Sequence, residues 1–318
     1  MVAFRATFGP VVAERYDLVL LLDWSARSDA KLFSQLIVCS YSPLYESLGA
    51  ERMRGWREAI EQAAATGPVT GRVRASLRTA AAVASGAYGT ILDTALASDT
   101  EGDPIFTGWL YGSCVVLDAL HRPGPAWQAR AQAVTADLCS SPHAAVRDLG
   151  AVVDAHLLLL EDRFDEAAEL FEAAIRRGGG TWADQTAVYM VGDCHLLAGR
   201  PQAALQAYAR GVAHARDMGA RDDIGFQAEG IVAALTDLGR DEEALETLGA
   251  SDSLTGEGVL PREHNAYWGG VMAGRISSAR VALGEHAADA AYARGRTLAV
   301  EEVVERLLSY GAPVGAAS

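Results

Sequence analysis

Motifs that mark catalytic or metal sites are scarce in this 318-residue sequence. Four cysteines occur, at Cys39, Cys114, Cys139 and Cys194, and no two of them form a C-x-x-C pair. Their spacing therefore predicts neither a zinc site nor a disulfide framework. The sequence also lacks the G-x-x-x-x-G-K-S/T nucleotide loop, the H-E-x-x-H motif of zinc proteases and the G-x-S-x-G motif of serine hydrolases. We accordingly expect a protein that is not an enzyme and that carries no cofactor or metal.

Positive charge and long apolar runs are scarce as well. The 27 Lys and Arg residues are outnumbered by 41 Asp and Glu residues, which gives a formal net charge of −14. Binding to nucleic-acid phosphates needs a basic stripe, so we expect no direct contact with DNA or RNA. No run reaches the roughly 18 apolar residues of a membrane span, and the start MVAFRATFGPVV lacks the parts of a signal peptide. We expect a cytoplasmic chain that does not bind a membrane.

Helix-forming residues are abundant, and one stretch shows how the helices are arranged. Between Ala151 and Asp217, two similar helical hairpins follow one another. The second hairpin has small residues, Gly192 and Ala204, where its two helices meet, and Gly199 at the turn between them. His195 stands at an aromatic position of the repeat, and Tyr208 provides the aromatic residue of the second helix. This spacing resembles the tetratricopeptide repeat (TPR). Such a hairpin cannot bury its apolar face alone, so copies of it predict a stack.

The turn position recurs along the chain. Positions equivalent to Gly199 are Gly49, Gly86, Gly124, Asp162, Gly239 and Gly284. Subtracting neighbouring positions gives steps of 37, 38, 38, 37, 40 and 45 residues, longer than the 34 of the standard repeat. Glycine suits a helix end in the left-handed conformation, and aspartate tolerates that conformation better than most residues. The predicted fold is all-α, a right-handed α-solenoid of about seven TPR-like hairpins.

The chain divides into four predicted parts. Residues 1–66 are N-terminal helices that begin the solenoid, 67–286 the repeats, 287–311 closing helices and 312–318 a disordered tail. Within the first part we expect helices at 13–26, 29–47 and 50–65, with Ser28 and Asp29 as capping candidates. The clearest helices of the middle part are predicted at 103–120, 126–139, 144–161 and 164–176.

Both ends carry a second resemblance. The N-terminal residues concerned are Glu14, Arg15, Asp17, Leu18, Asp23, Trp24, Ser25, Gly49, Arg52, Trp56, Arg57, Glu58, Ala59 and Ile60; the C-terminal ones are Ala291 to Glu302. These segments resemble the helical repeat region of bacterial signal-transducing ATPases and transcriptional regulators of the MalT, AfsR and LuxR type. The resemblance implies a sensor or regulatory region without the nucleotide-binding and DNA-binding modules of those proteins.

A helical solenoid offers a concave surface lined by the first helix of each hairpin. Placing the groove-facing positions at fixed distances before each turn gives the candidate binding residues Tyr111, Asp118, His156, Thr186, Tyr189, Asp193, Phe226 and Glu229. Aromatic and acidic residues thus alternate along one face, which suits a peptide or a small cationic or aromatic ligand. The alternative is that these residues only pack or are solvated.

Three functional hypotheses follow, the third being a purely structural scaffold for a protein partner. The first is a non-enzymatic signal-transduction module that binds a protein partner or small effector and shifts the state of a transcriptional regulator; a second copy of the chain could also be the partner. The second is a biosynthetic enzyme or auxiliary protein that uses the groove as a pocket, with His156 and either Asp118 or Asp193 as an acid–base pair. The adjacent Cys194 and His195 point about a hundred degrees apart on a helix, so we interpret His195 as packing.

Overall fold

The computed structural model describes residues 15–33, 36, 56–66, 71–84, 91–98, 104–119, 125–177, 182–218, 221–255 and 266–311. These residues lie in helices and short turns, and none of them lies in a strand. The prediction of an all-α fold is confirmed for this part of the chain. Helices that neighbour each other in sequence pack together through much of it.

The chain divides into two compact units, Met1–Glu161 with Gly179–Thr181, and Asp162–Gly178 with Trp182–Ser318. The helices described in the first unit are α1 (Arg15–Ser28), α2 (Arg57–Thr66), α3 (Gly71–Ala84), α4 (Ile91–Leu96), α5 (Pro104–Ala119), α6 (Pro125–Cys139) and α7 (Ala144–Leu160). Those of the second unit are α8 (Phe164–Arg177), α9 (Trp182–Leu197), α10 (Pro201–Met218), α11 (Arg221–Asp237), α12 (Asp241–Thr255), α13 (Ala266–Leu283), α14 (Glu285–Arg296) and α15 (Val300–Ser309).

Helix bounds follow the sequence signals closely in the middle of the chain. The four helices predicted at 103–120, 126–139, 144–161 and 164–176 each begin and end within one residue of α5 to α8. Proline opens α5, α6 and α10, where its missing N–H would have no helical partner. Near the N-terminus, Asp29 accepts a hydrogen bond from the backbone N–H of Leu32 at 3.0 Å, as expected of a cap. Residues 37–55, on which two further predicted helices depend, lie outside the described part.

The turn between paired helices has the predicted backbone conformation. Among the described residues, positive φ angles occur at Asp162 (59°), Gly199 (71°), Gly239 (71°) and Gly284 (78°). The amides of Gly199 and Gly239, and of the arginine after each, donate back to carbonyls of the helix end, in the pattern of a Schellman motif. All four stand at predicted turn positions; the remaining three, Gly49, Gly86 and Gly124, lie outside the described residues.

Tyr208 fixes the packing of three helices in the second unit. It lies on α10 and is fully buried, with its ring against Gly192 of α9 and Gly230 of α11. A Cβ atom at either glycine would overlap the ring. The two glycines therefore leave a slot of aromatic size between α9 and α11, and Tyr208 fills it.

The C-terminal helices pack back onto the same unit. Gly295 of α14 approaches the backbone of α12 so closely that a side chain would collide with the carbonyl of Glu246. Val303 and Leu307 of α15 are buried, and Arg306 pairs with Glu246 at 2.7 Å. The last helices thus add to the core that holds α9 to α12.

Candidate functional site

Three candidate residues lie in the first unit. Tyr111 on α5 is half-buried, and the side chain of Asp118 lies outside the described residues. His156 on α7 is only 3% exposed, and its Nδ1 lies 2.8 Å from the carbonyl oxygen of Val152. Burial lowers the pKa of His156 to about 4, although the hydrogen bond to Val152 opposes the shift. His156 is therefore an uncharged residue of the packed interior rather than a side chain on an open surface.

The second unit brings four candidate residues onto two adjacent helices. Tyr189 and Asp193 lie one turn apart on α9, and Phe226 and Glu229 lie one turn apart on α11. The rings of Tyr189 and Phe226 are in contact, with their centroids 6.0 Å apart and their planes tilted by 32°, a separation typical of aromatic pairs. Phe226 is 37% exposed. These four residues are called the acidic–aromatic cluster below.

Asp193 is held by the tyrosine that fills the glycine slot. The hydroxyl of Tyr208 donates to Oδ1 of Asp193 at 2.6 Å. Burial raises the pKa of Asp193 to about 7, the Tyr208 hydrogen bond opposes that shift, and the charge of Glu229 adds to it. At neutral pH this carboxyl group is therefore partly protonated, unlike an ordinary aspartate.

Glu229 supplies the second carboxylate. It is only 9% exposed, and Nε1 of Trp268 on α13 donates to its Oε2 at 3.3 Å. Also on α13, Arg275 forms a bidentate pair with Asp237, both bonds being 2.8 Å long. The guanidinium is thus held by a carboxylate outside the cluster. Two carboxyl groups, the half-buried Tyr189 and the exposed Phe226 share one face of α9 and α11, a combination that can hold a proton or a cation.

The remaining candidates add little to this face. The side chain of Thr186 lies outside the described residues. Cys194 is fully buried, and burial, followed by the charge of Asp193, raises the pKa of its thiol. Burial, followed by the charge of Arg200, lowers the pKa of the half-buried His195. A buried thiol with a raised pKa is a poor nucleophile, so this pair has the character of packing residues.

Trp268 and Arg275 were not among the candidate residues. Both lie on α13, within the longest step between predicted turns, from Gly239 to Gly284. Trp268 stands one helical turn further from Gly284 than the fixed spacing used for the other helices. The sequence signal that could have identified Trp268 is an aromatic residue about four to five turns of helix before the predicted inter-helix glycine, Gly284.

Searches for related proteins give no identification. Comparison with protein-family models, with curated proteins and with solved structures finds no match. Among the described residues, no group of three or more His, Cys, Asp and Glu side chains is placed to hold a metal ion. None of the helices in the described ranges combines the length and the apolar character that crossing a membrane requires.

Proposed function

We propose that this chain is a non-enzymatic binding module, a TPR-like α-solenoid that takes a protein partner or small effector on the face carrying the acidic–aromatic cluster. One observation carries the proposal. Side chains from two separate helices, Tyr189 with Asp193 and Phe226 with Glu229, gather on one face with their rings 6.0 Å apart. Partly exposed rings beside carboxylates are the means by which proteins hold organic cations.

The chemistry of the cluster favours a positively charged ligand group. Glu229 and Asp193 supply negative charge with restricted access to water, where an ion pair is stronger than at an open surface. Phe226 and Tyr189 offer apolar contact and a negative ring face to an ammonium or guanidinium group. A lysine or arginine side chain of a protein partner and a small organic cation meet this description equally well.

The regulatory role is proposed from the sequence resemblance to bacterial transcriptional regulators. In that role, a ligand that binds one arrangement of the helices more tightly than another shifts the population towards the first. The affected partner is then a nucleotide-dependent, DNA-binding regulator with which this chain is associated. The size of the shift is set by the difference between the two affinities.

The enzyme alternative has less support. Its acid–base pair requires His156, which is buried and bonded to the backbone of its own helix. A base needs hydrogen-bond access to the proton it removes, directly or through one water. We therefore propose binding rather than catalysis.

The proposed function is tested by titrating the full chain with tetramethylammonium, with an arginine-rich peptide and with an acidic peptide of the same length. Isothermal titration calorimetry should show saturable binding of the two cationic probes, and Phe226→Ala should weaken it about tenfold, equivalent to about 1.4 kcal/mol. The matched control is Val281→Ala, which removes an apolar side chain that is 81% exposed on α13. Equal binding by both variants, or preference for the acidic peptide, would contradict the proposal.

A further inference from the structure

Asp193 and Glu229 belong to a set of contacts that joins four helices of the second unit. Tyr208 on α10 donates to Asp193 on α9, and Trp268 on α13 donates to Glu229 on α11. The charge of Glu229 acts on Asp193 across the contact between α9 and α11. Both carboxyl groups therefore depend on donors fixed by other helices.

The positions of these groups are set by packing and leave little room for adjustment. Tyr208 fills the slot between Gly192 and Gly230, where its ring touches both α9 and α11. Its hydroxyl therefore stays on Asp193 unless the helices separate. Glu229 is nearly covered, so water can do little to screen its charge from Asp193.

We propose that Asp193 and Glu229 form a proton-controlled joint between α9 and α11. With one proton on the pair, the two helices pack around a single negative charge. With both groups ionised, two negative charges face each other across the helix contact, and the packing loosens. The joint does not depend on any ligand, so it holds or fails separately from the proposed binding function.

The charged groups of α8 and α13 act on residues other than Asp193. From α10 only Tyr208 acts on Asp193, and it stays protonated because burial raises its pKa well above the ordinary value. From α13, Arg275 acts on Tyr208 but is paired with Asp237. From α8, Asp165 and Glu172 act instead on His195. Within the described residues, Glu229 is the charged group that acts directly on Asp193.

The direction of the pH dependence follows from the raised pKa of Asp193. An unfolded aspartate releases its proton near pH 4, whereas the folded one holds it to about pH 7. Between these values the folded protein binds more protons than the unfolded protein, so stability falls as pH rises. One such proton changes the unfolding constant by up to about tenfold per pH unit within this window.

The test follows the Asp193 carboxyl carbon by NMR in protein labelled with ¹³C-aspartate, with Asp193→Asn used to assign its signal. The proposal predicts a midpoint close to pH 7, and faster amide hydrogen exchange in α9 and α11, corrected for intrinsic rates, once that midpoint is passed. Asp193→Asn can still accept from Tyr208 but carries no proton to lose, so its exchange should stay slow across the same range. The control is Glu301→Gln, an exposed carboxylate on α15, which should behave as the unaltered chain.

Titration of Asp193 below pH 5 would overturn the proposal, as would corrected exchange in α9 and α11 that is the same on both sides of the midpoint. The NMR midpoint is measured on the unaltered chain, so the test holds even if Asp193→Asn folds poorly.

Discussion

The hydroxyl of Tyr208 donates to the carboxylate of Asp193 at 2.6 Å, while the ring of the same tyrosine fills the slot between two glycines. One side chain thus sets the spacing of α9 and α11 and also places an acidic group on their shared face. A tyrosine is suited to both tasks because its apolar ring and its polar end act at different depths. Packing and the candidate site are therefore coupled in this part of the chain.

Because the Tyr208 ring fills the slot beside Gly192, adding even a methyl group at that glycine should lower the stability of the protein markedly. Gly192→Ala places a methyl group into the Tyr208 ring and should destabilise the second unit by about 1–3 kcal/mol, the usual cost of overpacking. Gly274→Ala is the matched control, because nothing lies within 4 Å of a Cβ at that helical glycine. The control should be neutral or stabilising by up to about 1 kcal/mol, since alanine is the better helix former. Urea unfolding of both variants measures the difference.

Removing the Tyr208 hydroxyl should weaken the protein more at high pH than at low pH. Tyr208→Phe keeps the ring in the slot but deprives an ionised Asp193 of its donor, which should cost about 1.5–3 kcal/mol at pH 8. At pH 5 Asp193 is protonated and the loss should be smaller, about 1 kcal/mol. Tyr292→Phe provides the comparison, because it breaks a 2.7 Å bond to Asp252 at a half-buried tyrosine. Equal losses at the two pH values would be inconsistent with a charged acceptor.

Glu229→Gln should lower the pKa of Asp193. The charge of Glu229 raises that pKa, and a neutral glutamine still accepts from Trp268 through its side-chain oxygen. The NMR midpoint of Asp193 should therefore move to lower pH, with the indole of Trp268 still hydrogen bonded. An unchanged midpoint would mean that burial and the Tyr208 hydrogen bond set the pKa without Glu229.

Substitutions at two of the turn residues should affect the stability of the protein differently. Asp162 has a φ of 59°, a conformation that strains a side chain, so Asp162→Gly should be neutral or stabilise by up to about 1 kcal/mol. Gly239→Ala forces a side chain into the same conformation and should destabilise by about 1–2 kcal/mol. Thermal unfolding at one pH compares the two. The account of the turns fails if both substitutions act in the same direction.

Local sequence signals were sufficient for the bounds of α5 to α8 and for the four turns within the described residues. A helix that ends in the left-handed conformation favours glycine at that position for reasons local to the backbone. Gly199, Gly239, Gly284 and even Asp162 were therefore identifiable without knowledge of tertiary contacts. The packing role of Tyr208 was likewise predictable from its spacing. Its hydrogen bond to Asp193 was not, because that bond depends on how three helices are oriented around the ring.

The candidate surface was harder to predict, because one spacing rule was applied to helices in different environments. It placed Tyr189 and Phe226 on the same face, where their rings meet. Applied to α7 it also selected His156, which is buried. The end of that helix, HLLLL, is apolar on every side, and such a helix lies inside the protein. Trp268 was missed because it stands one helical turn further from Gly284 than the spacing rule reaches.

The most direct test of the binding proposal is a ¹H–¹³C NMR titration of the full chain with tetramethylammonium, with sodium chloride at equal ionic strength as the reference. The account predicts saturable shifts of the Phe226 and Tyr189 ring signals and of the Trp268 indole, with no comparable shift of the exposed Val281 methyl groups. Binding should be weaker at pH 5 than at pH 8, because a protonated Asp193 offers no charge to the cation. Shifts that do not saturate, or that centre on residues away from α9 and α11, would contradict the account.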